Sequence, residues 1–196
     1  EWSDELTGCY LYFQDAPSAP QFDDECRRLL RDIHLTDGLR VDRAMAAHGL
    51  EVRIPFLDYS FTSMYLSLPC ELRQSSGKCE KYLLRSAFAD TWYLPDEILW
   101  RNKEAFSDGV STVQRSWYHI LQEAIEQEIT DDELLDCQTS NDYCAPKTKE
   151  QLYYRKIFIS HFGQKAVDSI PYYRMPKRQS GVTDPSARVL HVYKQE

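Results

Sequence analysis

Acidic side chains and a hydroxyl group crowd the first five residues of the chain. Glu1, Ser3, Asp4 and Glu5 come just before a stretch rich in Leu, Tyr and Phe. Carboxylates this close together repel one another unless cations, backbone donors or a metal ion compensate their charge. By composition alone the segment is a solvated terminus, and the alternative is a site in which such partners are present.

A second polar segment, residues 100–109, reads WRNKEAFSDG and lies between two predicted helices. Its Lys103 is a cation among small and polar residues, in a loop that ends at a glycine. Such loops contact phosphate groups, and they are equally common as plain surface turns. The residue types alone leave both interpretations open.

A third candidate combines acids and a base near the start of a predicted helix. Helical spacing places Asp37 and Arg40 on one side, and it rotates Asp42 by about 200° from Arg40. Arg40 could bind a carboxylate through two hydrogen bonds, or it could simply pair with Asp37 at i, i+3. The intrahelical pair is the simpler interpretation.

The elements that must position these residues are predicted to be helices. An apolar stripe begins at Phe22 and ends at Ile33, Asp58 is a helix cap, and Thr148 to Gln151 resembles a capping box. No strand-helix-strand repeat is visible, so the chain is expected to be mostly α. Helices are predicted over about 22–33, 36–48, 58–68, 82–88, 95–100, 113–125 and 148–162.

Composition excludes several classes of protein. The chain has 196 residues with 42% hydrophobic and 28% charged positions, which fits one soluble globular domain or one lobe. A net charge of −8 disfavours nucleic-acid binding, and the short apolar runs disfavour a membrane-embedded protein. Five histidines show no metal-ligand spacing. Six cysteines without C-x-x-C spacing are expected to be buried free thiols, which favours the cytosol.

Residues 1–196 show no internal domain boundary, and residues 169–196 are predicted to form an irregular tail.

Six segments of this chain closely resemble the C-terminal part of glutamine-hydrolysing asparagine synthetases, the eukaryotic enzymes above all. They run in order along nearly the whole chain: EWSDEL at 1–6, YLYF at 10–13 with Ala16-Pro17, AAHGLEVRIPFLD at 46–58, LWRNKEAFSDG at 99–109, PKTKE at 146–150 and TDPSAR at 183–188.

The resemblance implies the helical C-terminal portion of an α/β synthetase domain of the adenine-nucleotide α-hydrolase-like (ATP-pyrophosphatase) type. It implies ATP and Mg2+ as cofactors, with aspartate activated as β-aspartyl-AMP and ammonia from glutamine displacing AMP. The phosphate-loop half of the domain and an N-terminal glutaminase domain are expected upstream, and without them the 196 residues are expected to be inactive. A cytoplasmic enzyme is implied, and a homodimer is among the assemblies considered.

The resemblance also assigns roles to individual residues. Glu1 matches the acid of the family's SGEGSDE loop and Lys103 the lysine of its KEAFSDG loop, which makes both catalytic candidates. Ser3 and Asp4 match the cofactor-binding part of the first loop, where Asp4 would hold magnesium or orient substrate. Three further residues match positions near the family's aspartate site: Asp37, Arg40 and Asp42. The resemblance implies that Arg40 binds a carboxylate group of aspartate.

The chain departs from the family at Trp2, where the family has glycine. Glycine permits close backbone approach or a positive φ, and we expect an indole to forbid both and to hinder nucleotide access. Two other functions are compatible with these residues. One is a β-lactam-synthetase-like ligase that adenylates a carboxylate and closes a ring, and the other is a degenerate, non-catalytic helical module that binds a partner.

Overall fold

The computed structural model of the protein describes residues 2–75, 79–101, 103, 110–112, 115–140, 144–170, 175 and 177. Helices and turns dominate, and no strand occurs in these ranges, so the mostly α prediction is confirmed for them. The helices are α1 (Ser3–Thr7), α2 (Ala19–Asp32), α3 (Asp37–Ala46), α4 (Tyr59–Ser67), α5 (Cys70–Arg73), α6 (Tyr82–Ser86), α7 (Asp96–Leu99), α8 (Trp117–Glu128), α9 (Asp131–Thr139) and α10 (Lys149–Phe162).

The chain divides into two compact units, residues 1–103 and residues 104–196. The first contains α1 to α7 and the second contains α8 to α10. No shift in composition marks this division in the sequence. None of the described helices combines the length and the apolarity that crossing a bilayer requires.

The core of the first unit forms around α2. Ser18 caps this helix by accepting a hydrogen bond from the Gln21 amide at 3.4 Å. The predicted apolar stripe is buried, with Phe22 and Cys26 each 1% exposed or less, so the helix prediction is confirmed. Other side chains complete this hydrophobic cluster: Phe13 and Leu29 inside it, and Tyr10, Tyr12 and Ala16 at its edge.

One polar residue of α2 has a partner that helical spacing does not predict. Asp23 bonds to Arg73 of α5, whose side chain is almost completely buried. Arg73 also donates from Nε to the Leu68 carbonyl oxygen at 3.1 Å. The ion pair therefore joins α5 to α2, which a pattern within one helix cannot reveal.

The turn at Gly8 places α1 against α2. Gly8 has φ of 63° and ends α1 in the left-handed conformation, which glycine adopts without steric cost. The Cys9 amide donates to the Asp4 carbonyl oxygen at 3.0 Å across this turn. A Cβ atom on Gly8 would lie 2.6 Å from Cζ of Phe22, so glycine is also required for space.

The second unit has its own core, made by Ile125, Ile129 and Leu152. At the start of α10, Thr148 accepts from the Gln151 amide at 3.2 Å, but the Gln151 side chain accepts from the Lys147 amide instead of completing a box. Capping boxes occur instead at the start of α8, with Ser116 and His119, and at the start of α9, with Thr130 and Glu133; the sequence analysis did not predict α9. The helix predicted from residue 113 begins at Trp117, and Val113 lies outside the described residues.

All six cysteines are free thiols, as the sequence predicts. Their burial is less uniform than expected. Cys9 and Cys26 are buried, whereas Cys70, Cys79, Cys137 and Cys144 are only partly so, and Cys79 and Cys144 lie outside the helices. The predicted irregular tail, residues 169–196, falls almost entirely outside the described residues.

We predict that Gly8→Ala destabilises the first unit more than Gly49→Ala. Both glycines have a positive φ, which costs an L-residue about 1–2 kcal/mol. Only Gly8 faces the Phe22 ring, whereas a Cβ atom on Gly49 meets nothing within 4 Å. Overpacking raises the expected loss at Gly8 to about 3 kcal/mol. Hydrogen exchange of the α2 amides measures the loss of unfolding free energy in each variant, and equal losses in the two variants would contradict the prediction.

Candidate functional site

The short helix α1 carries a series of buried polar side chains. Asp4 is 7% exposed and Glu5 is fully buried, while Ser3 and Thr7 are also buried. The interpretation of this segment as a solvated terminus is therefore wrong for Asp4 and Glu5. Buried carboxylates need charged or hydrogen-bonding partners, and α1 has them.

Two lysines bind the two oxygens of the Asp4 carboxylate. Lys81 Nζ lies 2.6 Å from Oδ1, and Lys103 Nζ lies 2.7 Å from Oδ2. Cys9 donates from Sγ to Oδ1 at 2.8 Å. The acidic start of the chain and a lysine about a hundred positions later therefore lie in direct contact.

The charges in this cluster fix the protonation of Asp4 and Cys9. Burial alone would raise the pKa of the Asp4 carboxyl, but Lys103 and hydrogen bonds from Cys9 and Lys81 hold it well below its ordinary value. Burial and the adjacent Asp4 raise the pKa of the Cys9 thiol to about 12. Near neutral pH, Asp4 is a carboxylate and Cys9 is a protonated donor that does not act as a nucleophile.

Lys103 remains an ammonium group although it is partly buried. Burial alone would lower its pKa, but the neighbouring acidic groups of Cys9, Asp4 and Glu5 raise the pKa above its ordinary value. The ammonium lies 4.6 Å from the centroid of the Tyr10 ring, a distance typical of a cation–π contact. Lys103 is therefore held as a positive charge.

The structure places the other residues of this predicted site as follows. Ser3 accepts a hydrogen bond from Lys81 Nζ at 2.8 Å, so it adjoins the same pair of lysines. Glu1 lies outside the described residues, as do Asn102 and residues 104–109 of the Lys103 loop. The part of the predicted site that the structure brings together is thus Ser3, Asp4 and Lys103.

Trp2 has a backbone conformation that we expected its indole to forbid. Its φ is 62° and its ψ is −32°, which is outside the common conformations of L-residues. The expectation is wrong because tertiary contacts can stabilise such a residue against a strain of about 1–3 kcal/mol. The Trp2 indole nitrogen is buried, and no hydrogen-bond partner for it occurs among the described residues.

The third candidate group lies on α3. Arg40 Nη2 is 2.7 Å from Oδ1 of Asp37, which confirms the pair that the i, i+3 spacing predicts. Asp42 is not part of this pair, and its carboxylate is 4.0 Å from Nε of Arg43. The Arg40 side chain is 63% exposed, so its guanidinium is accessible from solvent.

Sequence reasoning missed Lys81, Cys9 and Tyr10. Lys81 follows Glu80 in an ordinary polar segment, and its contacts with α1 join residues 78 positions apart. Lys81 is the residue just before α6, and its backbone φ is 60°. No local pattern indicates such contacts, whereas Cys9 and Tyr10 could have been suspected from their proximity to Asp4 in the sequence.

The cluster has the donors needed to bind an oxyanion. Each lysine ammonium carries three N–H donors, and Asp4 and Ser3 use only some of them among the contacts described. Two ammonium groups on one carboxylate can stabilise negative charge on phosphate or pyrophosphate oxygens. No group of three or more metal-binding side chains occurs in the part of the chain that the structure describes.

Comparison with known proteins agrees with the resemblance seen in the sequence. Residues 1–177 match the family model described as asparagine synthase. Over 194 residues, 99% of this chain, the sequence is 50% identical to the glutamine-hydrolyzing asparagine synthetase of Bos taurus, 52% identical to that of Gallus gallus and 50% identical to that of Homo sapiens.

The chain covers 34% of each of these relatives, which means that it spans about a third of their length. The family match nevertheless covers well over half of this chain. The chain belongs to the asparagine synthase family.

Proposed function

We propose that this chain is part of an enzyme that converts aspartate to asparagine with ATP. The β-carboxylate of aspartate would attack the α-phosphorus of ATP, releasing pyrophosphate and forming β-aspartyl-AMP. Ammonia would then attack the β-carbonyl carbon, and AMP would leave. The observation that carries the proposal is the contact of Lys81 and Lys103 with Asp4 in a chain of this family.

Lys103 is proposed as the residue that stabilises negative charge on the phosphates. Its ammonium is charged, partly buried and fixed by Asp4, so it needs little reorganisation when charge develops on the leaving pyrophosphate. Lys81 lies on the other oxygen of the same carboxylate and would supply a second donor. Ser3 and Asp4 would contribute to nucleotide binding by orienting these lysines.

The surroundings of Asp4 do not fit direct magnesium binding. Both carboxylate oxygens already contact ammonium groups, and Cys9 donates to one of them. Magnesium needs oxygen ligands in near-octahedral geometry, and two ammonium groups would repel it. We therefore assign Asp4 to orientation of the lysines, and no step of the proposed reaction uses a metal ion held by Asp4.

The proposed aspartate site is on α3. Arg40 would bind a substrate carboxylate with two hydrogen bonds, Asp37 would orient Arg40 or contact the amino group, and Asp42 would contribute from the same helix. Solvent exposure of the Arg40 guanidinium supports this assignment. Glu1 is proposed to act in formation and amination of the adenylate, on the strength of the family motif alone.

Further properties of the whole protein belong to the same proposal. ATP, aspartate and glutamine-derived ammonia would be the substrates, with ammonia supplied by a glutaminase domain. Free thiols at all six cysteines support a reducing compartment such as the cytoplasm. A homodimer is a further expectation for the assembled enzyme.

The proposed activity predicts aspartate-dependent pyrophosphate release. The natural polypeptide that carries this sequence is incubated with ATP, magnesium, ammonia and aspartate, and pyrophosphate and asparagine are measured together. We expect both products in equal amounts and neither when aspartate is omitted. Absence of pyrophosphate release with all substrates present would contradict the proposed function.

Replacement of Lys103 by methionine is predicted to lower the rate of pyrophosphate release by about 100-fold or more, because one preorganised charge on the leaving group is lost. Lys156→Met is the matched control, since Lys156 pairs with Glu133 at the surface of the second unit. We expect the control to keep its activity within twofold. Similar losses in both variants would contradict the role of Lys103.

Replacement of Arg40 by methionine is predicted to raise the KM for aspartate by about tenfold or more, while the KM for ATP stays within twofold, because a charge-assisted bond to a carboxylate is lost. Arg53→Met is the control, because Arg53 is an exposed arginine that pairs with Glu51 outside α3, and we expect it to leave both KM values within twofold. Initial-rate kinetics over both substrates test this. A rise in the KM for ATP alone would contradict the assignment.

A further inference from the structure

Tyr10 contacts the lysine at the centre of the proposed site, and the sequence analysis gave it no role there although it lies in the YLYF segment. Its ring centroid lies 4.6 Å from the Lys103 ammonium. At this distance the negative face of an aromatic ring attracts a cation, and the attraction is larger where solvent is partly excluded. Both side chains are partly buried, so the contact is shielded from bulk water.

The hydroxyl group of Tyr10 is fixed at the opposite end of the ring. It donates a hydrogen bond to Oε1 of Glu5, whose side chain is completely buried in α1. The left-handed turn at Gly8 brings the two residues together, since it reverses the chain between them. Burial of the acceptor restricts rotation of the Tyr10 ring.

The Tyr10 ring also lies on the hydrophobic cluster of the first unit. The Tyr10 and Tyr12 rings are nearly parallel, with an interplanar angle of 8° and centroids 6.2 Å apart. Tyr10 also packs on the hydrophobic cluster that contains Phe13 and Phe22. The ring is therefore a rigid surface built on the core of the first unit.

We propose that Tyr10 is a positioning residue, which holds the Lys103 ammonium beside Asp4 with the face of its ring. A lysine side chain has four rotatable carbon bonds, and an ion pair with one carboxylate leaves much of that freedom. A second contact on another side of the ammonium restricts it to one place. The consequence for catalysis rests on the proposed function, whereas the consequence for Lys103 itself does not.

Several charged or acidic groups act on Lys103, and the ring adds a contact of a different kind. Asp4 binds the ammonium directly, Glu5 acts on it electrostatically, Lys81 shares Asp4 with it, and Cys9 donates to the same carboxylate. Comparing Tyr10→Phe with Tyr10→Leu isolates the ring, because both variants lack the hydroxyl bond to Glu5 and both keep every charged group. The ring can therefore be tested separately from the charges.

The test uses variants of the natural polypeptide that carries this sequence. Tyr10→Phe keeps the ring and removes the hydroxyl group, whereas Tyr10→Leu removes both. Tyr10→Met repeats the loss of the ring with a longer, unbranched side chain that adapts to irregular space, in case leucine loosens the core. Tyr12→Leu is the matched control, because Tyr12 packs on the same cluster and its hydroxyl donates to Glu25 at 2.8 Å.

The first measurement is acetylation of lysines, read by mass spectrometry, with Lys81 as the internal reference. We expect the ratio of Lys103 to Lys81 labelling to rise about fivefold in Tyr10→Leu and Tyr10→Met, because the ammonium is no longer held against a ring. It should stay within twofold of the parent in Tyr10→Phe and Tyr12→Leu. An unchanged ratio in both ring-deleted variants, or an equal rise in Tyr12→Leu, overturns the proposal.

The second measurement separates kcat from KM for aspartate-dependent pyrophosphate release. Loss of the ring should lower kcat about tenfold and leave the KM for aspartate within twofold, because misplacement of Lys103 affects the transition state. Tyr10→Phe keeps the ring, so its kcat should equal that of the parent. If the parent releases no pyrophosphate but the labelling ratio responds as expected, the proposed function fails and the positioning of Lys103 stands.

Discussion

A single buried carboxylate determines how the first unit is arranged around its candidate site. Asp4 is 7% exposed, and a charge in that environment must be compensated by nearby cations. Lys81 and Lys103 provide them from distant parts of the chain. Leaving such a charge without any partner costs about 3–5 kcal/mol. That exceeds the cost of about 1–2 kcal/mol for the left-handed φ of Lys81, so contacts with Asp4 can stabilise this backbone conformation.

The helix that carries Asp4 is too short to be stable by itself. Isolated helices need about 12–15 residues even in favourable sequences, and α1 has five. Its stability must come from packing on α2, where Phe22 fills the space next to Gly8. The positions of Asp4, Glu5 and Tyr10 therefore depend on the hydrophobic core. A substitution in the hydrophobic core can therefore displace the side chains of the candidate site without replacing any polar residue.

Sequence patterns predicted the features that depend on neighbouring residues. The buried stripe of α2, the Asp58 cap and the Asp37–Arg40 pair all arise within one helix or one turn, so spacing is enough to find them. The partners of Asp4 could not be derived in this way, because Lys81 and Lys103 come from separate segments. The residue types around Lys103 left its role open, and the resemblance to a family motif decided it. The positive φ of Trp2 was not expected, because local steric repulsion disfavours it for an L-residue. Tertiary contacts can outweigh that energetic cost.

The two proposed substrate-binding groups of the first unit differ in how readily a ligand could replace an internal partner. The Asp37–Arg40 pair lies on one helix with a guanidinium that is 63% exposed, and pairs of that kind contribute only about 0.2–0.5 kcal/mol. Under the proposed function, a substrate carboxylate would therefore compete with Asp37 at little cost. Asp4 is different, because its lysines compensate a buried charge and cannot both leave it. A ligand of Lys81 and Lys103 must add to their contacts with Asp4, which requires an acceptor with several oxygens, such as a phosphate group.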